Sequence, residues 1–477
     1  MLEKIFKLKQ NNTTVKTEIL AGLTTFMTMA YIIALNPNLL TGFGAEGTKA
    51  LWNGVFLATC IASAVGMFVM AFLANKPFAL APGMGLNSFF AVVVANIVSI
   101  TGLSYVDSFQ AALCIILIEG ILFFILSIFN IRDKIVDAIP YGVRMGISPA
   151  IGLMLLNIGF GSNAGVYSKD GGPFYVMKDF FGALTPGLAK TNMTDGYSSM
   201  VLTVVTMFIG LFVIIILAHK GVNGAVTFWY ACSLRSLLGR RGYILWNKSF
   251  CITCNRLQFV PQFKDMADTT LFKFDFKDFI SIGWFTAISL IITFCIIDMF
   301  DTIGTLVGTA SRAGMVDKEG NMPNMKEGFG FRFSCHSVGA VTGTSTVTTF
   351  VESASGVEAG GRTGLTAFTT GILFLACIFI APLAAIIPAA ATSSALIYVG
   401  ILMLGGLKKV DFEDLSQVAP VALMLIAMPI SGSIGHGIGL GLITYTVLKV
   451  FTGKAKEVSI LTYAISLLFL VKFFLVV

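Results

Sequence analysis

Acidic side chains stand inside apolar stretches of this sequence at four positions. Asp298 and Asp301 lie in "FCIIDMFDTIGTLVG", Glu352 lies in "TTFVESASGV", and Glu119 lies in "IILIEGILFF". A carboxylate in the core of a bilayer is costly, so such an acid is either held by a neighbouring helix or available to bind a ligand or a proton. The polar groups that accompany each acid decide between these two interpretations.

The local sequence separates the four acids. Asp298 and Asp301 are three residues apart, so they share one face of a helix, which could line a cavity. Asp301 and Glu352 lie beside glycines and hydroxyls, which favours a function for both. Asp298 is expected to hold Asp301 in position without itself contacting the ligand. Glu119 has no polar companions nearby, so we expect it to be structural.

Two stretches are too polar and too rich in glycine for ordinary membrane spans. They are "KPFALAPGMGLNSFFAVVVAN" at 76–96, which contains Asn87, and "GAVTGTSTVTTFVESASGV" at 339–357. Interrupted segments at corresponding places in two halves of a chain indicate the binding site of a transporter. Their unpaired backbone groups must face a cavity or protein and not lipid. The sequence therefore predicts that these stretches meet around a substrate, where Phe89, Phe90 and Phe350 could stack on a planar ligand or fill the core.

The composition gives the setting for these stretches. The chain has 477 residues, of which 56% are hydrophobic and 12% charged, and its mean hydropathy is +0.86. Soluble domains carry about 25% charged residues, so this chain is expected to be an all-α polytopic membrane protein. Four lysines precede the first apolar run, which predicts a cytoplasmic N-terminus. That run is too long for a secretory signal.

Hydropathy predicts about fourteen membrane elements. The expected elements are 18–36, 52–74, 77–96, 109–129, 143–160, 198–219, an ambiguous region 222–260, 281–309, 330–343, 344–357, 362–380, 383–405, 418–450 with a break at Gly432, and 457–476.

Several classes of partner are not expected. The net charge of +7 fits basic cytoplasmic loops better than nucleic-acid binding. Cys251 and Cys254 form a CxxC pair that lacks two further zinc ligands at suitable spacing, and no phosphate-binding loop for ATP occurs. We therefore expect neither a metal nor an organic cofactor.

Long motifs identify a family. "TTFMTMAYIIALNP" at 24–37, "ALAPGMGLNSFFA" at 79–91, "DMFDTIGTLVG" at 298–308, "GTSTVTTFVESASGVEAGGRTGLTA" at 343–367 and "IPAAATSSALIYVGILM" at 387–403 occur in the family's order. Over nearly the whole chain, the sequence resembles the AzgA-like purine permeases, which are the hypoxanthine, guanine and adenine branch of the nucleobase–cation symporter superfamily.

The resemblance implies a fold of fourteen segments in two inverted repeats of seven. Segments 3 and 10, at 77–96 and 344–357, would each be half helix and half short strand, with their helix N-termini facing each other across the site. A core domain would comprise segments 1–4 in residues 1–130 and segments 8–11 in residues 281–382. A gate domain would comprise segments 5–7 in residues 131–280 and segments 12–14 in residues 383–477.

The resemblance also implies a function and a site. The family's substrate residues fall on Asn87, Asp298, Asp301 and Glu352, and we add Phe89, Phe350 and Ser353 as candidate contacts. Carboxylates can accept purine N–H groups, and the amide of Asn87 can read or brace a mixed edge. The expected activity is import of hypoxanthine, guanine or adenine across the cytoplasmic membrane.

Proton symport is the expected coupling. Burial disfavours the charged form of a carboxylate, so Glu352 or Asp301 could load the coupling proton before the core domain moves. The expected partners are a purine nucleobase and the lipid bilayer, and a homodimer remains open.

Two stretches depart from the family pattern. Residues 226–260 hold five basic residues and no acid, and "GFGFRFSCH" at 328–336 has an arginine where the family has small residues. The abrupt change in composition favours segments translated out of frame over a basic loop that binds anionic lipid. A transport-impaired variant is therefore one alternative.

Other functions remain as alternatives of different kinds. A permease of this architecture could carry another nucleobase, such as uracil or xanthine, or a small anion such as sulfate. An intramembrane enzyme would need a nucleophile–base pair or clustered metal ligands, and the three histidines are far apart in the sequence. A channel predicts polar stripes along several long helices, whereas polarity here is concentrated in the two interrupted stretches.

Overall fold

A computed structural model describes most of the chain. The described residues are 2–42, 45–128, 139–163, 197–222, 225, 226, 228, 229, 232, 233, 261–295, 297, 298, 338–350, 352–380, 389–431 and 434–475. Asp301, the stretch 328–336 and all of 234–260 lie outside them.

The first half of the described chain is helical apart from one short strand. Its elements are α1 (Leu2–Phe6), α2 (Val15–Met29), α3 (Ile32–Leu40), α4 (Lys49–Val69) with a π-helical turn at Met70–Ala74, β1 (Leu80–Pro82), α5 (Met84–Thr101), α6 (Tyr105–Ile128), α7 (Tyr141–Ile158) with a π-helical turn at Gly159–Asn163, and α8 (Tyr197–His219).

The second half repeats this combination of helices with one short strand. Its elements are α9 (Phe263–Thr269), α10 (Phe276–Ser281), α11 (Trp284–Cys295), β2 (Val347–Thr349), α12 (Ser353–Glu358), α13 (Gly364–Ala376), α14 (Ala389–Met403), α15 (Leu415–Ser431), α16 (Ile434–Phe451) and α17 (Ile460–Leu475).

The apolar helices confirm a multi-pass membrane protein. Six stretches of the described chain are long and apolar enough to cross a bilayer, and five further apolar helices are shorter. Gly432, where the sequence predicted a break, lies outside the described residues, between the end of α15 at Ser431 and the beginning of α16 at Ile434. The first span differs from the expectation, since α2 and α3 are separated at Ala30 and Tyr31. The total of fourteen segments and the inverted repeat stay predictions.

The third segment is interrupted where its prolines and glycines predicted. β1 ends at Pro82, Gly83 is extended with φ −66° and ψ 129°, and α5 begins at Met84. β1 pairs with β2 in an antiparallel two-stranded ribbon, with Leu80 opposite Thr349 and Pro82 opposite Val347. The ribbon satisfies the backbone groups that the broken helices leave unpaired, as a membrane interior requires.

Backbone bonds extend the ribbon at both ends. The Gly83 N–H donates to Thr346 O at 3.2 Å, and the Phe350 N–H donates to Ala79 O at 3.0 Å. Both strands are fully buried. The beginnings of α5 and α12 are consequently fixed at opposite ends of one rigid unit.

Two large apolar clusters surround the ribbon. One packs α5 against α6, α7, α11, α15 and α16, and the other packs α3 and α4 against α14. Val226 and Trp229 belong to the second cluster, and Trp229 packs against Gly210 of α8. The beginning of the stretch that departs from the family pattern is therefore built into the protein interior.

A buried carboxylate ties α2 to the beginning of α13. Glu18 is fully buried and accepts hydrogen bonds from the backbone N–H groups of Arg362 (2.8 Å), Thr363 (3.3 Å) and Thr366 (3.2 Å). The Thr366 hydroxyl donates a fourth bond to Glu18 Oε2 at 2.6 Å. Since the first N–H groups of a helix lack partners within the helix, Glu18 acts as the cap of α13.

Candidate functional site

The ribbon assembles the candidate site from segments that are far apart in the sequence. Asn87 lies in the first turn of α5, which follows β1, and Glu352 immediately precedes α12, which follows β2. A helix beginning presents free backbone N–H groups and a partial positive charge. The predicted half-strand, half-helix form of segments 3 and 10 is therefore present, with both segments joined through their strands.

Asn87 braces the site from inside the protein. Its side chain is fully buried, its Nδ2 donates to Pro82 O at 3.1 Å, and the Ser345 hydroxyl donates to its Oδ1. The amide thereby joins the end of β1 to the residue two positions before β2. In this conformation both groups of the Asn87 amide are bonded within the protein, and the expected contact of Asn87 with a purine edge stays a prediction.

Glu352 is the acid of this site that is partly exposed as a residue. Its Oε1 accepts a hydrogen bond from the Tyr31 hydroxyl at 2.7 Å. Tyr31 is 1% exposed, so the hydroxyl approaches the carboxylate from the protein interior. By contrast, Asn87, Asp298 and Ser353 are all fully buried.

The helix that carries Glu352 is held tightly against α2. The hydroxyls of Thr28 and Ser355 are hydrogen-bonded at 3.0 Å, one turn away from the Tyr31–Glu352 bond. Gly356 packs so closely on α2 that a Cβ there would overlap Thr25 Oγ1 and lie 2.9 Å from Ala21 O. The break between α2 and α3 and the beginning of α12 therefore form one interface.

Ser353 and the two candidate aromatic residues lie around this unit. The Ala79 N–H donates to Ser353 Oγ at 2.9 Å, and Ser353 Oγ lies 3.3 Å from Ala79 O, so Ser353 anchors α12 to the strand. Phe89 is 2% exposed, with its ring centroid 4.6 Å from that of Phe294. Phe350 is 5% exposed and belongs to the apolar cluster around α3 and α4. In this conformation both aromatic residues are packed in the core.

The acids of the eighth segment lie at the edge of the described chain. Asp298 is fully buried and follows Phe294 by four residues, so both occupy one helix face. Phe294 packs on Phe89 and Phe90 of α5, which places Asp298 on the side that faces the third segment. Asp301 lies outside the described residues. Glu119 is fully buried within α6.

A tyrosine from another helix reaches this region. Tyr398 of α14 is partly exposed and lies near enough to Glu352 for the two groups to interact electrostatically. Tyr398 also packs against the apolar cluster that contains Tyr31 and Phe350. The candidate site is therefore bordered by α14 as well as by the ribbon.

Sequence reasoning did not find Tyr31, Glu18 or Asn36. Asn36 of α3 is fully buried and donates to Thr59 Oγ1 at 2.8 Å and to Thr344 Oγ1 at 2.9 Å, which joins α3, α4 and the approach to β2. All three residues lie in the first predicted span. Their polarity within an apolar run was the sequence feature that could have marked them as candidates. Their partners are more than twenty positions away, so the sequence alone could not identify them.

Comparisons with a family model and with individual relatives both match this chain to permeases. The model of the Permease family matches residues 16–435. The adenine permease AdeP of Escherichia coli is 36% identical over 472 residues, which cover 99% of this chain and 96% of AdeP. The guanine/hypoxanthine permease PbuO of Bacillus subtilis is 34% identical over 473 residues, which cover 99% of this chain and all of PbuO.

A solved structure shares the fold. The transmembrane domain of the cyanobacterial bicarbonate transporter BicA superposes with a TM-score of 0.60 and covers 88% of this chain and 97% of that domain. The sequence identity is 13%, so this similarity concerns the fold alone.

Proposed function

This chain belongs to the Permease family, and from that membership we propose that it imports purine nucleobases by proton symport. Permeases are transporters and not enzymes, in agreement with the expectation from the sequence. Two relatives that match nearly the whole chain are named for adenine and for guanine and hypoxanthine, which supports purines as the substrate class. The proposed location is the cytoplasmic membrane.

The observation that carries the proposal is Glu352, a partly exposed residue beside the ribbon whose carboxylate accepts a hydrogen bond from Tyr31. A purine presents N–H donors and ring-nitrogen acceptors along its rim. The carboxylate of Glu352 can accept such N–H groups. Asn87 and Ser353 support this arrangement by fixing the ribbon and α12.

The proposed coupling uses the same carboxylate. A proton on Glu352, or on Asp301, would remove a charge that is costly to move within the membrane. The protonated, substrate-loaded core domain could then move against the gate domain. Within the proposed gate domain, Gly142 and Gly146 of α7 let this helix approach Gln417 and Val421 of α15 closely. The domain boundaries and the fourteen-segment repeat belong to this proposal.

Uptake assays test substrate and coupling together. Radiolabelled hypoxanthine uptake is measured in cells that lack their own purine permeases, with adenine, guanine, xanthine and uracil as competitors. We expect purines to compete, and we expect uptake to fall when external pH rises or when a protonophore is added. Competition by uracil alone would favour the alternative nucleobase, and indifference to both pH and protonophore would refute proton coupling.

Replacing Glu352 tests the site. Glu352→Gln removes the charge but keeps the size of the side chain, and we expect Vmax/KM for hypoxanthine to fall by roughly 10- to 100-fold, the worth of a hydrogen bond to a charged group. Glu119→Gln is the matched control, because Glu119 is a buried acid of α6 outside the ribbon. Equal loss of transport in both variants, at equal amounts of folded protein, would contradict the assignment.

A further inference from the structure

We propose that Tyr31 is a positioning residue for Glu352, holding one carboxylate oxygen so that the other is presented to the substrate. This inference rests on the proposed function, because it assigns the oxygen of Glu352 that receives a purine N–H. It concerns the break between α2 and α3, a feature that no motif of the sequence had linked to the site.

The geometry at Glu352 makes the two oxygens unequal. Oε1 accepts the bond from Tyr31 Oη at 2.7 Å. The Tyr31 ring belongs to the apolar cluster around α3 and α4 and is 1% exposed, so this hydroxyl cannot swing away to solvent. Glu352 as a residue is partly exposed. Tyr31 engages Oε1, which leaves Oε2 as the oxygen that this proposal assigns to the substrate.

A fixed carboxylate binds a planar ligand better than a mobile one. Glu352 has three rotatable side-chain bonds, and ordering such a side chain costs about 1–2 kcal/mol when a ligand must do so itself. The bond from Tyr31 orders the side chain before the substrate arrives. The neighbouring bond between Thr28 and Ser355 holds the backbone of the same interface, so Tyr31 acts on the carboxylate itself.

Removing the hydroxyl should weaken substrate binding and leave the fold intact. In Tyr31→Phe we expect the KM for hypoxanthine to rise by roughly three- to tenfold, the worth of one hydrogen bond, with Vmax per folded transporter within about twofold. A purely structural role would instead lower the amount of folded protein and Vmax, with KM unchanged.

Tyr105→Phe is the matched control. The Tyr105 hydroxyl also makes one hydrogen bond, to Leu40 O at 2.9 Å, and it lies on α6 away from the ribbon. This variant removes the same chemical group from another helix contact. We expect its KM to equal that of the unmodified protein.

An infrared measurement tests the contact without any substrate. The carboxylate bands of Glu352 are identified in the purified protein as the difference between the unmodified chain and Glu352→Gln. In Tyr31→Phe we expect these bands to shift in frequency, because the oxygen loses its donor, whereas Tyr105→Phe leaves them in place.

The two measurements separate this inference from the proposed function. Absence of purine uptake by the unmodified chain would refute the proposed function, and the infrared bands would still decide whether Tyr31 holds Glu352. Bands and KM that are both unchanged in Tyr31→Phe overturn the inference. A shifted band with unchanged KM also overturns it, since the contact would then have no role in presenting the substrate.

Discussion

Replacing Glu18 with alanine should destabilise the protein more than its place near the beginning of the first span suggests. The carboxylate holds four donors at the beginning of α13, at distances of 2.6, 2.8, 3.2 and 3.3 Å. Thr363 is fully buried, so water cannot replace the acceptor that its N–H loses. The Thr366 N–H keeps Thr363 O at 3.2 Å, and the Thr366 hydroxyl keeps the backbone oxygen of Glu18 at 3.3 Å. The Arg362 N–H is partly buried and can recover part of its loss.

The magnitude follows from counting the donors that lose their acceptor. Each buried donor left without a partner costs about 1–3 kcal/mol. The Thr363 N–H is left without a partner and the Arg362 N–H is partly so, which gives a loss of about 1–3 kcal/mol in the free energy of unfolding for Glu18→Ala. Glu18→Gln keeps one side-chain oxygen but removes the charge, and its expected loss is about half as large.

The assay is thermal unfolding of the purified protein in detergent, followed by intrinsic fluorescence. We expect the apparent Tm to fall in the order unmodified chain, Glu18→Gln, Glu18→Ala. Glu3→Ala is the control, because Glu3 is an exposed acid that accepts one bond, from the Lys9 N–H at 3.0 Å. If Glu18→Ala melts within a degree of Glu3→Ala, Glu18 does not cap α13.

Two further predictions concern packing and surface charge. Gly356→Ala forces a Cβ onto Thr25 Oγ1, so we expect a loss of about 1–3 kcal/mol and reduced hypoxanthine uptake, whereas Gly405→Ala, at a glycine with open space around it, should be neutral by the same melting and uptake measurements. The 2.7 Å salt bridge to Lys449 lowers the pKa of Glu457. The pair therefore stabilises the fold above the ordinary glutamate pKa of about 4.3 and loses this effect as the pH falls below it. The difference in apparent Tm between the unmodified chain and Glu457→Gln should accordingly disappear in acid, and a difference that persists there would contradict this assignment.

The sequence predicted the interrupted segments because their cause is local. Pro82 and Gly83 end the strand and precede α5 whatever the rest of the chain does, and polar, glycine-rich residues mark the second stretch in the same way. The choice of Glu352 as a site residue rests on the same pattern and stays a prediction. Membership of the permease family followed from long motifs in order along the chain.

The contacts that hold the site could not be predicted, because their partners are far apart in the chain. Tyr31 and Glu352 are separated by 321 residues, and Glu18 and Thr366 by 348. The sequence around one residue of each pair does not indicate which residue is its partner. The burial of Asn87 and Ser353 could not be predicted either. The sequence pattern that marked them as candidate contacts is the same for an accessible side chain and for a buried one that bonds within the protein.

The ribbon also constrains how the protein can be made. The Ala79 N–H meets its partner Ser353 274 residues later in the chain, so β1 enters the bilayer long before β2 has been translated. At about 5–20 residues per second, the first strand waits on the order of 15–50 s with backbone groups that lipid cannot satisfy. The newly inserted third segment must therefore be sheltered by the insertion machinery or by its neighbouring helices until the tenth arrives. Truncation between the two strands should accordingly yield a product that membrane quality control removes.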